Sequence, residues 1–375
     1  MPLQPFTTQI VGSYTKPHWL ARHQRMRALD GSWWRPEPEV LQEAKEDAAR
    51  LAIYEQERAG LDLVTDGEAQ RAAYDRHFLA GWEGVDLHNL EVIRPESSPS
   101  FSKRDETGAE EYSRLSRLKP QVTGEVRWRR AVSVDELRFA KSVAKRPVKA
   151  NVIGPISLSG QLVDRYYGDP DALLMALASA LNSELRALDA AGADVLQIDE
   201  PAFHFRLPQT RHVAEAAIKR MVEGVRAPVI VHVCYGYALV YKEKSASAIY
   251  PEILEILAGC PIEGISLEYE QPGHDPEILR HCGDKHVVLG LLNLGTQEIE
   301  MAEHIASRIR GALETVPPER LHPSSDCGMW FLPRDVALGK IRAMVEGKEK
   351  VLQHMSVAPR PYEVPNVRQS ALGAD

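Results

Sequence analysis

Cysteine is scarce in this chain, with four in 375 residues: Cys234, Cys260, Cys282 and Cys327. A disulfide-built secreted fold needs far denser spacing, so reduced thiols are expected, and each calls for a packing or chemical reason. Long apolar runs are missing as well. No segment approaches the roughly 18 uninterrupted apolar residues of a membrane span, and Met1 to Gln9 lacks the basic stretch and apolar run of a leader. A cytoplasmic protein with no membrane partner is therefore expected. Concentrated positive charge is also absent: 45 Lys and Arg stand against 53 Asp and Glu, for a formal net charge of −8. The densest basic cluster, Arg127 to Arg130 around Trp128, is too short to favour nucleic acid, which leaves small molecules as the expected partners.

What is present is alternation. Apolar or β-branched runs that end in small or polar residues recur at Gln9 to Ser13, Leu61 to Glu68, Val148 to Pro155, Asp194 to Pro201, Val229 to Tyr235, Gly264 to Tyr269, Val287 to Asn293 and Leu321 to Gly328. Helical periodicity separates most of them. In Asp171 to Ala190, for example, Leu173, Leu174, Leu177, Leu181, Leu185 and Leu188 fall at three- and four-residue steps. Strand and helix in alternation favour parallel pairing through helical crossovers. Eight such units predict an α/β fold, a closed (β/α)8 TIM barrel over residues 1–355, with an open doubly wound sheet as the alternative. Residues 86–146 break the repeat and read as an insertion between the second and third strands. Its polar middle suggests a loop, and Gln121 to Val126 a hairpin strand; the segment is either a lid over the barrel mouth or a solvated excursion. The proline-bearing tail, 356–375, reads as loosely packed or as a contact between copies of the chain.

Chemistry-bearing residues gather at strand ends. His232 and Cys234 lie two apart in one run, so an extended backbone turns them to the same side. Glu268 closes the next run, and Cys327 closes the last within Ser325-Asp326-Cys327-Gly328. A His-x-Cys pair alone is more often core packing than a metal site. Four candidate ligands at three strand ends of one barrel rim reverse that weighting and suggest tetrahedral zinc. Cys260 and Cys282 border helical patterns and read as structural. A second set, Gly12-Ser13, Asp66-Gly67-Glu68 and Asp199-Glu200, ends other strands. A single such carboxylate is usually a helix cap, whereas three on one rim beside a metal favour ligand binding.

The segments IVGSY (Ile10 to Tyr14), DLVTDGEAQR (Asp62 to Arg71), VKANVIGP (Val148 to Pro155), VLQIDEPA (Val195 to Ala202), HVCYG (His232 to Gly236), SLE (Ser266 to Glu268) and SSDCGM (Ser324 to Met329) resemble, in order, the motifs of the catalytic barrel of cobalamin-independent methionine synthase. That resemblance implies a (β/α)8 barrel with zinc at its mouth. It implies His232, Cys234, Glu268 and Cys327 as zinc ligands, and Ser13, Glu68 and Asp199 as residues that hold the amino-acid part of homocysteine. Backbone near Gly12 and Ser13 would take the substrate carboxylate, with Glu68 and Asp199 on its ammonium; Glu200 and Asp326 are weaker candidates for orienting ligands. The implied reaction is methyl transfer to homocysteine, forming methionine, from methyltetrahydrofolate or methylcobalamin.

Two departures from the family pattern stand out. The chain resembles the short, single-barrel members and not the two-barrel enzymes of about twice its length. Where the long enzymes place a histidine after the seventh strand, to protonate the folate leaving group, this chain reads Gly290-Leu291-Leu292-Asn293-Leu294, which favours a donor with a better leaving group. Alkyl transfer to another thiol, as in the zinc enzyme that opens epoxides with coenzyme M, is the near alternative. A zinc- or small-molecule-binding barrel without turnover comes next. A metal hydrolase ranks last, because two thiolates make the metal a poor Lewis acid. Trp33 and Trp34, with Trp19 and Tyr14, either line a donor pocket or pack beside the barrel.

Overall fold

The computed structural model describes residues 3–22, 32–73, 76–93, 118–236 and 244–357. The polar middle of the expected insertion and the tail beyond 357 lie outside these. In chain order the strands are β1 (Trp82–Val92), β2 (Leu118–Trp128), β3 (Lys149–Ile153), β4 (Val163–Asp164), β5 (Val195–Asp199), β6 (Val229–Val233), β7 (Gly264–Leu267), β8 (His286–Gly290) and β9 (Leu321–Ser324). Six of them form an all-parallel sheet ordered β3-β5-β6-β7-β8-β9. β1 and β2 make an antiparallel ribbon, so the hairpin strand expected at Gln121 to Val126 exists, and β4 docks on β2.

The sheet residues are buried on both faces, which is why these runs read as nearly continuous apolar stretches. The outer face packs under helices such as Pro170–Ala190, whose buried leucines are those picked out by periodicity. On the inner face Leu3, Leu63, Val195, Ile230 and Val288 form a small cluster separate from the helix-covered core. Above this plug lies a polar layer. Lys149 donates to Gln9 Oε1 (2.7 Å), Ile10 O (2.7 Å) and Gln197 Oε1 (2.6 Å). Asn151 and Gln197 both donate to Val11 O, at 2.8 and 2.7 Å.

The first two expected strands differ from the sequence reading. Gln9 to Ser13 forms no ladder, and Leu61 to Glu68 contributes a single parallel bridge, Val64 to Val148. Isolated backbone bonds replace the ladders: Phe6 N to Leu321 O (3.0 Å), Gln9 N to Pro323 O (3.1 Å), Leu63 N to Thr8 O (3.1 Å), Val64 N to Pro147 O (3.0 Å) and Lys149 N to Val64 O (2.8 Å). The reason lies in which residues become neighbours. Pro147 and Pro323 have no N–H to donate, and the Asp62 carboxylate takes the Thr8 N–H (3.0 Å) that a neighbouring strand would otherwise accept. Among the described residues no helix is long and apolar enough to cross a membrane.

One buried carboxylate joins the ribbon to the sheet's helical cover. Glu184, on Pro170–Ala190, accepts from Trp128 Nε1 (2.8 Å), Val132 N (3.0 Å) and Ser133 N (3.0 Å). It thereby satisfies amides at the start of helix Val134–Val143, where a negative charge is favourable. Glu184→Ala leaves three donors unmatched. At about 1–3 kcal/mol for each buried unsatisfied group, urea unfolding should show a loss of about 3 kcal/mol or more. An unchanged midpoint would mean that this carboxylate does not anchor the ribbon.

Candidate functional site

The registers Asp199↔His232↔Ser266 set β5, β6 and β7 side by side at their C-terminal ends. His232 points inward, with Nδ1 2.9 Å from Ser266 Oγ. Its Nε2 is buried and meets no hydrogen-bond partner among the described residues. Burial, then the nearby ammonium groups of Lys149 and Lys244, lowers the imidazole to about 3, so the ring is neutral and presents a bare lone pair. Just beyond the ends of β6 and β9, Cys234 and Cys327 bring their Sγ atoms to 3.7 Å although 93 positions separate them. Ligand atoms of His232, Cys234 and Cys327 all lie within 4.8 Å of one another, and every one of these residues is buried. Without a cation the arrangement is costly for thiolates: the hydrogen bond shared with Cys327, together with burial, pushes Cys234 well above the ordinary thiol range. One imidazole nitrogen and two soft sulfurs suit zinc or a similar metal, and the unpartnered Nε2 fits a ligand role.

Glu268 does not join that set. It is fully buried, with Oε1 2.6 Å from Lys244 Nζ and Oε2 accepting from Tyr235 N at 2.8 Å. Burial raises this carboxyl and Lys244 opposes the rise. Asp326 acts on the same stretch through the backbone, accepting from Tyr269 N (3.3 Å), Glu270 N (3.1 Å) and Gln271 N (2.6 Å). Its side chain passes over Gly290, where an added Cβ would stand 2.2 Å from Asp326 Oδ1. Glu200 is likewise used on backbone amides, those of Ile156 (2.9 Å) and Ser157 (2.7 Å). Glu200 thus holds the first turn of the short helix Pro155–Ser159, and Asp326 the turn after β7.

The second set also converges. Asp199 accepts from Gln197 Nε2 (2.7 Å) and Asn151 Nδ2 (3.1 Å). Gly12 lies where an added Cβ would be 2.5 Å from Asn151 Nδ2 and 3.0 Å from Glu68 Oε1, so only glycine lets these groups close in. Ser13 Oγ is buried without a partner among the described residues, while Ser13 O accepts from Met329 N (2.8 Å). With the bond from Val11 N to Ser325 Oγ (3.1 Å), that contact lays the loop bearing Cys327 over the segment bearing Ser13. Glu68 sits at φ 53, a left-handed backbone that costs a non-glycine residue about 1 kcal/mol or more. Gln56 and Thr65 hold it there: Gln56 bonds both polar atoms of the Thr65 backbone, and Thr65 Oγ1 donates to Gly12 O (2.8 Å). Burial, and then repulsion from Asp199, pushes Glu68 up to about 7; burial pushes Asp199 up to about 6. Backbone strain at Glu68 and desolvation of both Glu68 and Asp199 mark this set as a candidate ligand site.

Sequence reading missed Lys149, Asn151, Ser266 and Lys244. Lysine and asparagine on one face of the run Val148 to Ile153 were a usable signal for an inward polar layer; Lys244 carried none. Trp33 packs with Leu20, Ala48, Ala49, Ala69 and Trp330, beside the sheet. Cys260 and Cys282 are buried, as expected for structural thiols. Because Asn tolerates left-handed backbone and carries no charge to bury, Glu68→Asn should leave the thermal unfolding midpoint unchanged or raised. A drop of several degrees would make Glu68 a structural residue.

Comparison with known proteins agrees with this geometry. A family model described as the catalytic domain of cobalamin-independent synthase matches residues 104–350. The methionine synthase of Saccharolobus solfataricus is 31% identical over 358 residues, covering 95% of this chain and 97% of that one. The methionine synthase of Pyrococcus horikoshii is 30% identical, covering 95% of each. Among solved structures, a B12-independent methionine synthase from Shewanella sp. W3-18-1, in complex with selenomethionine, superposes with a TM-score of 0.82 at 30% identity, over 94% of this chain and 99% of that one. By the span of the family match and the extent of these identities, the chain belongs to the cobalamin-independent methionine synthase family of methyltransferases.

Proposed function

We propose that this protein is a zinc-dependent methyltransferase that makes methionine from homocysteine, built as one (β/α)8 barrel over residues 1–355 with 86–146 as an insertion. Six parallel strands and the backbone bonds that run from β9 through residues 6–9 and 62–64 to β3 support closure of the barrel. The observation that carries the reading is the meeting of a His232 ring nitrogen with Cys234 Sγ and Cys327 Sγ, His232 Nε2 being without a partner among the described residues, near Ser13, Glu68 and Asp199.

His232, Cys234 and Cys327 would hold zinc, with Glu268 as an exchangeable fourth ligand. A bound zinc ion supplies one thing here: it lowers the pKa of the substrate thiol, near 8.5 when free, so that the nucleophilic form predominates at neutral pH. The chain's own residues do the rest. Glu68 and Asp199 receive the substrate ammonium, which brings a positive charge to two buried carboxylates and favours their charged forms. The orphan Ser13 hydroxyl, beside the backbone at Gly12, takes the substrate carboxylate. Ser266 fixes the ring of His232, and Asp326 fixes the turn after Glu268. That the Shewanella relative was solved with selenomethionine is in keeping with an amino acid of methionine's shape in this pocket.

The donor is better read as methylcobalamin than as methyltetrahydrofolate. Asp326 fills the space above Gly290 with its oxygens engaged by the amides of Tyr269, Glu270 and Gln271, and Leu291, Leu292 and Leu294 are buried, so no histidine stands at the end of β8 to protonate a poor leaving group.

Zinc-loaded protein given homocysteine and either donor should form methionine, faster with methylcobalamin. Cys327→Ser should lower zinc affinity by about 100-fold or more and abolish methionine formation. No methionine from either donor, with alkylation of a different thiol, would replace homocysteine as the acceptor. Full zinc and activity in Cys327→Ser would remove Cys327 from the ligand set.

A further inference from the structure

Glu268 raises a problem that the proposed reaction leaves open. A carboxylate that yields its place to a substrate thiol inside a protein interior becomes an uncompensated buried charge unless another group takes it. From the ion pair of Lys244 with Glu268 we infer that Lys244 is the residue that receives Glu268 when the substrate thiol takes its place, a positioning residue for thiol binding. This rests on the reading of the site given above.

The observations meet at the backbone of Tyr235 and Gly236. Lys244 and Glu268 have side chains 2% and 0% exposed, so their 2.6 Å contact is a buried ion pair, not a solvated one. Lys244 Nζ also donates to Gly236 O (2.6 Å). Gly236 N in turn reaches Cys234 Sγ (3.4 Å), and Tyr235 N takes the second oxygen of Glu268 (2.8 Å). The receiving position is therefore complete: each carboxylate oxygen has its own donor, one charged and one neutral, and both are tied to the residues following Cys234. The carboxylate needs no proton to leave the ligand position, because positive charge is already in place. Lys244 in turn keeps the Gly236 carbonyl as a partner when Glu268 is away. Lys244 need touch neither substrate nor metal to act.

The test uses the full chain loaded with cobalt(II) in place of zinc, with homocysteine affinity read from the visible spectrum and metal affinity read separately by chelator competition. Lys244→Met should weaken homocysteine binding by about tenfold or more while metal affinity holds or rises, because Glu268 then has nowhere else to go. Lys244→Arg should recover most of the loss. In a Glu268→Gln background, Lys244→Met should change homocysteine affinity by less than about threefold, since the two residues act as one unit. An equal effect of Lys244→Met in both backgrounds, or a parallel loss of metal, would overturn the inference. Should Lys244→Met not fold, Lys244→Gln provides the same contrast against Lys244→Arg. Wild-type cobalt protein with no spectral response to homocysteine would instead reject the functional reading itself; a normal wild-type response with unchanged Lys244 variants rejects only the role of Lys244.

Discussion

The in-register pairing of β5, β6 and β7 at Asp199, His232 and Ser266 is the constraint on which the rest of the site depends. Side chains paired across a parallel ladder point the same way, so one register places a carboxylate, an imidazole and the hydroxyl that orients it in a row. A slip of one residue on β6 would turn His232 and Cys234 out toward the helices. Everything else is brought to that row from a distance. The loop after β9 adds Cys327, the N-terminal segment adds Gly12 and Ser13, and the strained turn after Thr65 adds Glu68.

Burial makes the row chemically active and also dangerous to the fold. Two thiols, four carboxylates (Glu68, Asp199, Glu268 and Asp326) and two ammonium groups (Lys149 and Lys244) lie close together with almost no exposure. Each charge has been given work or left waiting. Asp326 and Glu200 are spent on backbone amides, and Lys149 holds the N-terminal segment to the sheet. Glu268 is matched by Lys244. The unmatched atoms, His232 Nε2 and Ser13 Oγ, line up with the two halves of the proposed ligand: metal on one side and amino acid on the other.

Much of this was legible in the chain. The two-residue spacing of His232 and Cys234 is a direct statement about which way they face, and the recurrence of polar residues at strand ends marks one rim. The periodicity of Leu173 to Leu188 identified its helix. Other features could not be read. Lys244 lies in the polar stretch Tyr241 to Ser245, where nothing separates it from a surface lysine; only the fold brings it against Glu268. Glu184 is one acid among several on its helix until Trp128 arrives from 56 positions away. The first two strands look like their successors in composition, but Pro147, Pro323 and Asp62 remove the ladder partners they would need, an effect that depends on which segments become neighbours.

The central claim is that His232, Cys234 and Cys327 bind zinc with one exchangeable position that accepts a substrate thiol. X-ray absorption at the zinc edge, on protein with and without homocysteine, addresses it most directly. Two sulfur neighbours are expected without homocysteine and three with it, the gain coming at the expense of an oxygen. A sulfur count that stays at two when homocysteine is bound would contradict it.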